Sequence, residues 1–398
     1  MAVKLSALLA ELPETTRNST TGALDNTKRT RGINRILQKL QSYADWKFTK
    51  RTKEFDFIDG IHEYSLQNYV GTTCLDNDSS TEISDFKSPF DVRLSSGSHK
   101  PFSFRDEKDV RDSIRNGKVS VNEYGIDGDL LILNYPRQTS SQLSNTDSTT
   151  GWNVSGDATN LTADTVEFKE GSGSLNFDVS AGTSLVITNT SLSSKDLTTL
   201  QNKSYLVVWV YLPTITNFTS IKADWGSDVT SNYWTKTETA RADGQDLEVG
   251  WNLFAFKWAD ATETGSPDVT AVDSVQFTIT YSSATTDTDF RIDDVRIAKA
   301  TKMKLEYFSE AMTKTSSGDY QLEFNADSVT QTDELLGSES RIAVVTGATY
   351  ELFKMIGGKS ERDRTDSYNE YKEERKQLYK KSGHRLRREG RVLNFPTR

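Results

Sequence analysis

The chain has 398 residues, enough for two or three domains with a substantial core, and its 48 Lys and Arg against 57 Asp and Glu give a formal net charge of −9. Hydrophobic residues are 35%, aromatics 10% and the mean hydropathy −0.61, which points to polar-faced β structure, and no apolar run approaches the ~18 residues of a membrane-spanning helix. A single cysteine, Cys74, excludes an internal disulfide and a cysteine-based zinc cluster.

The charge is uneven. Residues 151–300 hold about 20 acidic and 10 basic side chains, and from Lys359 onward about 13 basic residues face 7 acidic ones. The break in composition near 151 and 297 marks an acidic all-β block set inside a different domain.

In chain order, Leu5, Leu8, Leu9 and Leu12 fall at helical spacing, while the start of the chain is too weakly patterned for a signal peptide. Ile33, Ile36, Leu37, Leu40 and Ala44 predict a helix over 24–44 with Asp25 as its candidate N-cap; Gly32 weakens it by about 1 kcal/mol. Trp46 and Phe48 then switch to period two, and Phe55, Phe57, Asp59-Gly60 and Ile61 to Leu66 read as a hairpin. The stretch 69–100 is polar and irregular. Short strands are expected near 101–105, 118–121 and 129–135, a charged helix over 106–114, and a polar linker over 138–150.

Within the block, strands are expected near 165–169, 174–179, 183–188, 204–212, 220–224, 252–257, 273–281 and 290–297, a spacing that suggests a sandwich. Beyond it come a strand at 302–308 and a helix at 340–356 with Ile342, Val345, Thr349, Leu352 and Ile356 on one side, stopped by Gly357-Gly358. A last helix over 361–381 carries Tyr368, Tyr371, Leu378 and Tyr379, and a basic arm follows from His384.

No catalytic signature emerges. Gly358-Lys359-Ser360 ends like a phosphate loop, but Phe353 stands where the loop needs glycine and a helix precedes it. Asp76-x-Asp78-x-Ser80 begins like a calcium loop, yet Thr81 replaces the turn glycine and Lys87 the closing glutamate. His62, His99 and His384 sit far apart, outside any metal spacing. The chain is therefore expected not to be an enzyme.

The acidic block resembles the jelly-roll carbohydrate-binding modules. Its carriers are Gly151-Trp152, Gly171 to Phe177, Lys195-Asp196-Leu197, Tyr205 to Pro213, Gly250-Trp251-Asn252-Leu253 and Phe290 to Ile297 with Asp293-Asp294. The resemblance implies a structural calcium near the last strand, with Asp293 as candidate ligand; the favoured alternative is a bulge at Asp293-Asp294. Trp225, Tyr233 and Trp234 are candidates for a sugar-stacking platform, since apolar sugar faces lie flat on indole, and buried core is the alternative for them. Trp209, Trp251 and Trp258 read as core.

The outer halves resemble the head-to-tail adaptors of tailed bacteriophages, the family of tail tubular protein A. The carriers are the helix Ile33 to Ala44 running into Trp46-Lys47-Phe48, then Gly60 to Leu66, the strands Leu130 to Pro136 and Lys304 to Phe308, and two closing helices. The fold class is then α+β: a discontinuous adaptor domain, helical bundle plus small antiparallel sheet, interrupted by an all-β jelly-roll sandwich. The expected boundaries are 1–138 and 299–382 for the adaptor domain, 151–298 for the insertion and 383–398 for the arm. That resemblance implies a virion protein made in the host bacterial cytoplasm, a ring of twelve copies between the portal protein and the tail or nozzle proteins, with genomic DNA passing through without sequence-specific binding. Arg385, Arg387, Arg388 and Arg391, interleaved with Leu386, Leu393 and Phe395, are the candidate portal- or neighbour-binding residues. The alternative is a glycan-binding receptor-recognition or accessory tail protein, with surface glycans as partner. Removal of residues 151–297, closed with a short Gly/Ser linker, is expected to leave a chain that still assembles.

Overall fold

A computed structural model describes residues 3–12, 26–67, 86–96, 100–118, 122–136, 140–317, 319–325, 332–356 and 361–384. Its α-helices among these residues are α1 (Leu5–Glu11), α2 (Asn26–Tyr43), α3 (Glu107–Arg115), α4 (Arg341–Ile356) and α5 (Glu361–Ser382). The chain divides into two compact units. The first comprises residues 1–54, 74–93 and 304–398, and the second residues 55–73 and 94–303.

The second unit is built around a β-sandwich. Its strands are β1 (Ser141–Ser144), β2 (Trp152–Gly156), β3 (Ala158–Asp164), β4 (Ser174–Val179), β5 (Gly182–Asn189), β6 (Ser204–Leu212), β7 (Phe218–Asp228), β8 (Asn232–Glu238), β9 (Gly250–Lys257), β10 (Thr262–Thr264), β11 (Ser274–Thr285) and β12 (Phe290–Ser309). One sheet has the order β2-β5-β11-β7-β8-β10 and the other β3-β4-β12-β6-β9, with β1 also paired to β12. Period-two alternation explains the layering. Ile221, Ala223 and Trp225 of β7, Val275, Phe277 and Ile279 of β11, and Leu206, Val208 and Val210 of β6 all point into one core, and all are buried.

Three expectations change here. The segment 138–150 is not merely a linker, because β1 within it pairs with Val295, Arg296 and Ile297. The strand expected at 302–308 is not separate from the last sandwich strand; β12 runs unbroken from Phe290 to Ser309, and the boundary between the units falls inside it. Residues 165–169 form no strand, because their backbone turns to cap Asp293.

The same unit holds a small sheet of Glu63–Ser65, Leu130–Asn134, Glu123–Asp127 and Ser103–Phe104, against which α3 packs. Asp106 caps α3 by accepting from the Lys108 amide, as an acidic residue does for the free N–H groups of a first turn. Tyr205 Oη donates to Asp56 Oδ2 at 2.7 Å, which holds residues 55–66 to the sandwich. Residues 55–73 and 94–150 are thus part of the sandwich unit, a division different from the expected cut at 138 and 151.

In the first unit α1, α2, α4 and α5 share a core of Leu5, Leu8, Ile33, Ile36, Leu37, Leu40, Val344, Ala348, Leu352, Tyr371 and Leu378. The buried side of α4 is shifted from the expected one: Ile342 is 60% exposed, while Ala343, Val344 and Ala348 are buried together with the expected Leu352. Small residues win this face because the helices approach closely. A Cβ on Gly347 would lie 2.8 Å from the Tyr371 ring and 2.9 Å from Ile36. A Cβ on Gly32 would lie 3.2 Å from Leu352, so both glycines mark where α2, α4 and α5 meet. No helix among the described residues is long and apolar enough to cross a membrane.

Candidate ligand-binding face of the sandwich

The residues that alternate with the core positions of the six-stranded sheet form its outer face. One cross-strand row reads Asn153, Thr188, Gln276, Asp224, Thr235 and Thr262. The adjacent row reads Ser155, Val186, Thr278, Lys222 and Thr237. Most of these side chains are half-exposed, so the face is a shallow, hydroxyl-rich surface.

Asp224 is the exception, at 1% exposure. Its Oδ2 accepts from Gln276 Nε2 at 3.2 Å and lies 2.8 Å from the Lys222 ammonium, and Thr188 Oγ1 donates to Gln276 Oε1 at 3.0 Å. Its Oδ1 has no hydrogen-bond partner among the described residues. A buried carboxylate oxygen without a donor costs about 1–3 kcal/mol, which sets Asp224 apart from the other polar groups of this face. Tyr233 stands on the same outer side, paired with Gly226 and Thr264 near the sheet edge.

The tryptophans of the expected platform are elsewhere. Trp225 and Trp234 are 0% and 4% exposed and point into the core, each edge-on to Trp258 with ring centroids 5.8 and 4.9 Å apart. The cause is parity: Trp225 shares its side with Ile221 and Ala223, so neither indole can offer a face to sugar. Of that trio only Tyr233 lies outside the core. Trp258 is core, as expected, whereas Trp209 and Trp251 are half-exposed on the outer face of the other sheet. There Lys169 lies 4.9 Å from the Trp209 ring centre, and the Arg291 guanidinium lies 4.8 Å from that of Tyr211. Tyr211 in turn meets Trp251 edge-on at 5.6 Å. Arg291 is fixed by Asp164 at 2.9 Å and Asp289 at 2.8 Å, so this aromatic row is already capped by cations of the chain itself.

Asp293 does not fit a metal ligand. Its Oδ1 accepts from Thr146 Oγ1 at 2.7 Å and from the Asp294 amide at 2.7 Å, and its Oδ2 from the Lys169 and Glu170 amides at 2.6 and 2.9 Å. Four donors occupy the lone pairs a calcium ion would need. Burial pushes the Asp293 carboxyl above its ordinary range, against these hydrogen bonds, which pull it down. Asp294 has φ +49°, and the register between β6 and β12 shifts between Val207 and Trp209, so the bulge is the structural role of this pair. Among the described residues no group of three or more His, Cys, Asp or Glu is placed to hold a metal. The arm residues Arg385, Leu386, Arg387, Arg388, Arg391, Leu393 and Phe395 lie outside the described residues.

Sequence reasoning missed Lys222, Asp224 and Gln276. The alternation in Ser220-Ile221-Lys222-Ala223-Asp224-Trp225 does place Lys222 and Asp224 on one side. Nothing in it tells that Gln276 and Thr188 stand beside them, because cross-strand register is a tertiary property.

No protein-family model and no curated protein matches the chain. Similar solved structures include a family 30 carbohydrate-binding module of a Clostridium thermocellum cellulosomal cellulase, at TM-score 0.31 and 14% identity over 41% of this chain and 98% of that one. A family 11 carbohydrate-binding module from Clostridium thermocellum, in complex with a beta-1,3-1,4-mixed-linked tetrasaccharide, is similar at TM-score 0.29 and 12% identity over 40% of this chain and 94% of that one.

Proposed function

We propose that the chain is a non-catalytic binding protein whose sandwich takes a neutral carbohydrate on the outer face of the six-stranded sheet. The observation that carries this reading is Asp224, buried at the centre of that face with Oδ1 unpartnered among the described residues and Oδ2 held by Lys222 and Gln276. Each sugar hydroxyl both donates and accepts, so one ring can satisfy Oδ1 while accepting from the threonine and lysine donors around it. A neutral polyol suits the site better than an acidic one, because the missing partner is a donor. Tyr233 supplies an aromatic surface at the edge of the same side.

Affinity electrophoresis of the full chain through gels containing soluble β-glucan or xylan tests the reading. Retardation that disappears in Asp224→Ala, with the melting temperature retained, is the expected result. A wild-type chain that migrates freely in both gels overturns it.

A phage adaptor ring is the second reading. One observation favours it: the core of the first unit joins α1 and α2 to α4 and α5 across the whole sequence, the discontinuous helical domain that such an adaptor requires. Negative-stain microscopy of the purified chain decides it, twelve-fold rings being expected and monodisperse monomers excluding it.

A further inference from the structure

The second site lies in the first unit and is independent of the glycan reading. Helix α2 carries Lys28, Arg29, Arg31, Arg35 and Lys39 and no acidic residue. Arg29 is buried, donating to Leu12 O at 3.0 Å and Asn26 Oδ1 at 3.2 Å. The other four are exposed and recur at i, i+3, i+7 and i+11, which puts them on one side of the helix, a cation about every 5–6 Å over roughly 16 Å.

Beside this stripe is a cleft of about 550 Å³ lined by Arg31, Asn34, Arg35, Gln38, Gln321 and Glu323. Its floor is fixed: Asn34 donates through Nδ2 to Phe324 O at 2.8 Å and accepts from the Phe324 amide at 3.1 Å. Cations outnumber carboxylates here among the described residues. Glu351, 3% exposed, is shared by Lys39, by Arg35 at 4.0 Å and by Lys354 at 3.8 Å, while Glu323 at the rim accepts from Gln38 Nε2 at 3.4 Å. Among the described residues Arg31, Arg35, Lys39 and Lys354 thus face two carboxylates, and no salt bridge to Arg31 occurs.

We propose that the exposed stripe of α2 and the cleft beside it bind the phosphodiester backbone of a nucleic acid, without sequence preference. Guanidinium groups pair bidentately with phosphate oxygens, and a strand presents one charge per about 3.4 Å of rise, so the stripe meets roughly every second phosphate. Gln38 and Gln321 add neutral donors at the cleft wall, suited to phosphate and sugar oxygens.

The probe is a fluorescein-labelled single-stranded oligothymidylate of about 20 nucleotides, titrated with the full chain by fluorescence anisotropy from about 50 to 200 mM salt. Binding at the low-salt end is expected, and Arg31→Gln/Arg35→Gln should weaken it about tenfold and reduce the slope of log K against log salt by about 1.4, or 0.7 per lost contact. The comparison is repeated with Arg385, Arg387, Arg388 and Arg391 all changed to Gln, which removes the cations of the C-terminal arm. Persistence of the Arg31/Arg35 effect in that background supports the site. Loss of that effect, an unchanged slope in the double variant, or binding of heparin without binding of the oligonucleotide overturns it.

Discussion

Tyr205 donates its phenol proton to Asp56 across 149 residues of sequence, at 2.7 Å and with both residues buried. Burial and the neighbouring carboxylate push the Tyr205 phenol upward, which keeps it the donor of this bond. Lys302 at 3.5 Å and Lys257 at 3.9 Å also approach the Asp56 carboxylate. Tyr205→Phe removes a hydrogen bond to a charged acceptor and should cost about 1.5–3 kcal/mol in urea unfolding. The same contact revises the expectation that residues 151–297 are dispensable. Their removal strips residues 55–66 and 94–136 of the sheet they belong with, and the shortened chain should lose protection from limited proteolysis there. Full protection would show the contact to be incidental.

The two glycines of the helical core should respond oppositely to alanine. At Gly347 the added methyl group meets Tyr371 and Ile36 below 3 Å, an overpacking that outweighs the roughly 1 kcal/mol gain in helix propensity and leaves the protein destabilised by about 1–2 kcal/mol. At Gly32 the nearest atoms belong to the flexible Leu352 side chain at 3.2 Å, so Gly32→Ala should be neutral or slightly stabilising. Thermal melts of the two variants decide the matter, and equal shifts would contradict the packing described.

Asp293 acts as an anionic cap for the 167–171 turn. Asp293→Asn retains one acceptor oxygen where two are needed, orphans at least one of the Lys169 and Glu170 amides, and should cost about 1–3 kcal/mol. Because donors fill the carboxylate, calcium and chelator should leave the wild-type melting temperature unchanged. A calcium-dependent rise would restore the metal reading.

Glu238 introduces a pH dependence. Burial, opposed by Lys236 and reinforced by Asp260, raises its carboxyl to about 7. The folded state therefore holds this proton over a range in which the unfolded chain has released it. Its contribution is fully present below the ordinary glutamate range and is lost as pH rises through about 7. Glu238→Gln should accordingly raise the melting temperature at pH 8, by the equivalent of about 1 kcal/mol or more, and leave it nearly unchanged at pH 4. Parallel pH profiles for the two proteins would refute the assignment.

Much of the local structure was legible without coordinates. The stripe Ile33, Ile36, Leu37 and Leu40 is the buried side of α2, and the alternating runs at 174–179, 204–212 and 252–257 lie in strands at those positions. Such periodicities are local: an apolar residue every 3.6 or 2 positions is a property of neighbouring residues alone. Which side faces what was not legible. Trp209 and Trp225 both lie in alternating strands, and only the pairing of β6 with β12 and of β7 with β11 turns one outward and the other into the core. The continuity of β12 through the composition break, the Tyr205–Asp56 contact and the row Thr188, Gln276, Asp224 likewise depend on register between segments far apart in sequence. Composition marked where the acidic block lies, because charge is summed along the chain; tertiary pairing decided what that block is joined to and which of its carboxylates, Asp224 rather than Asp293, is left needing a partner.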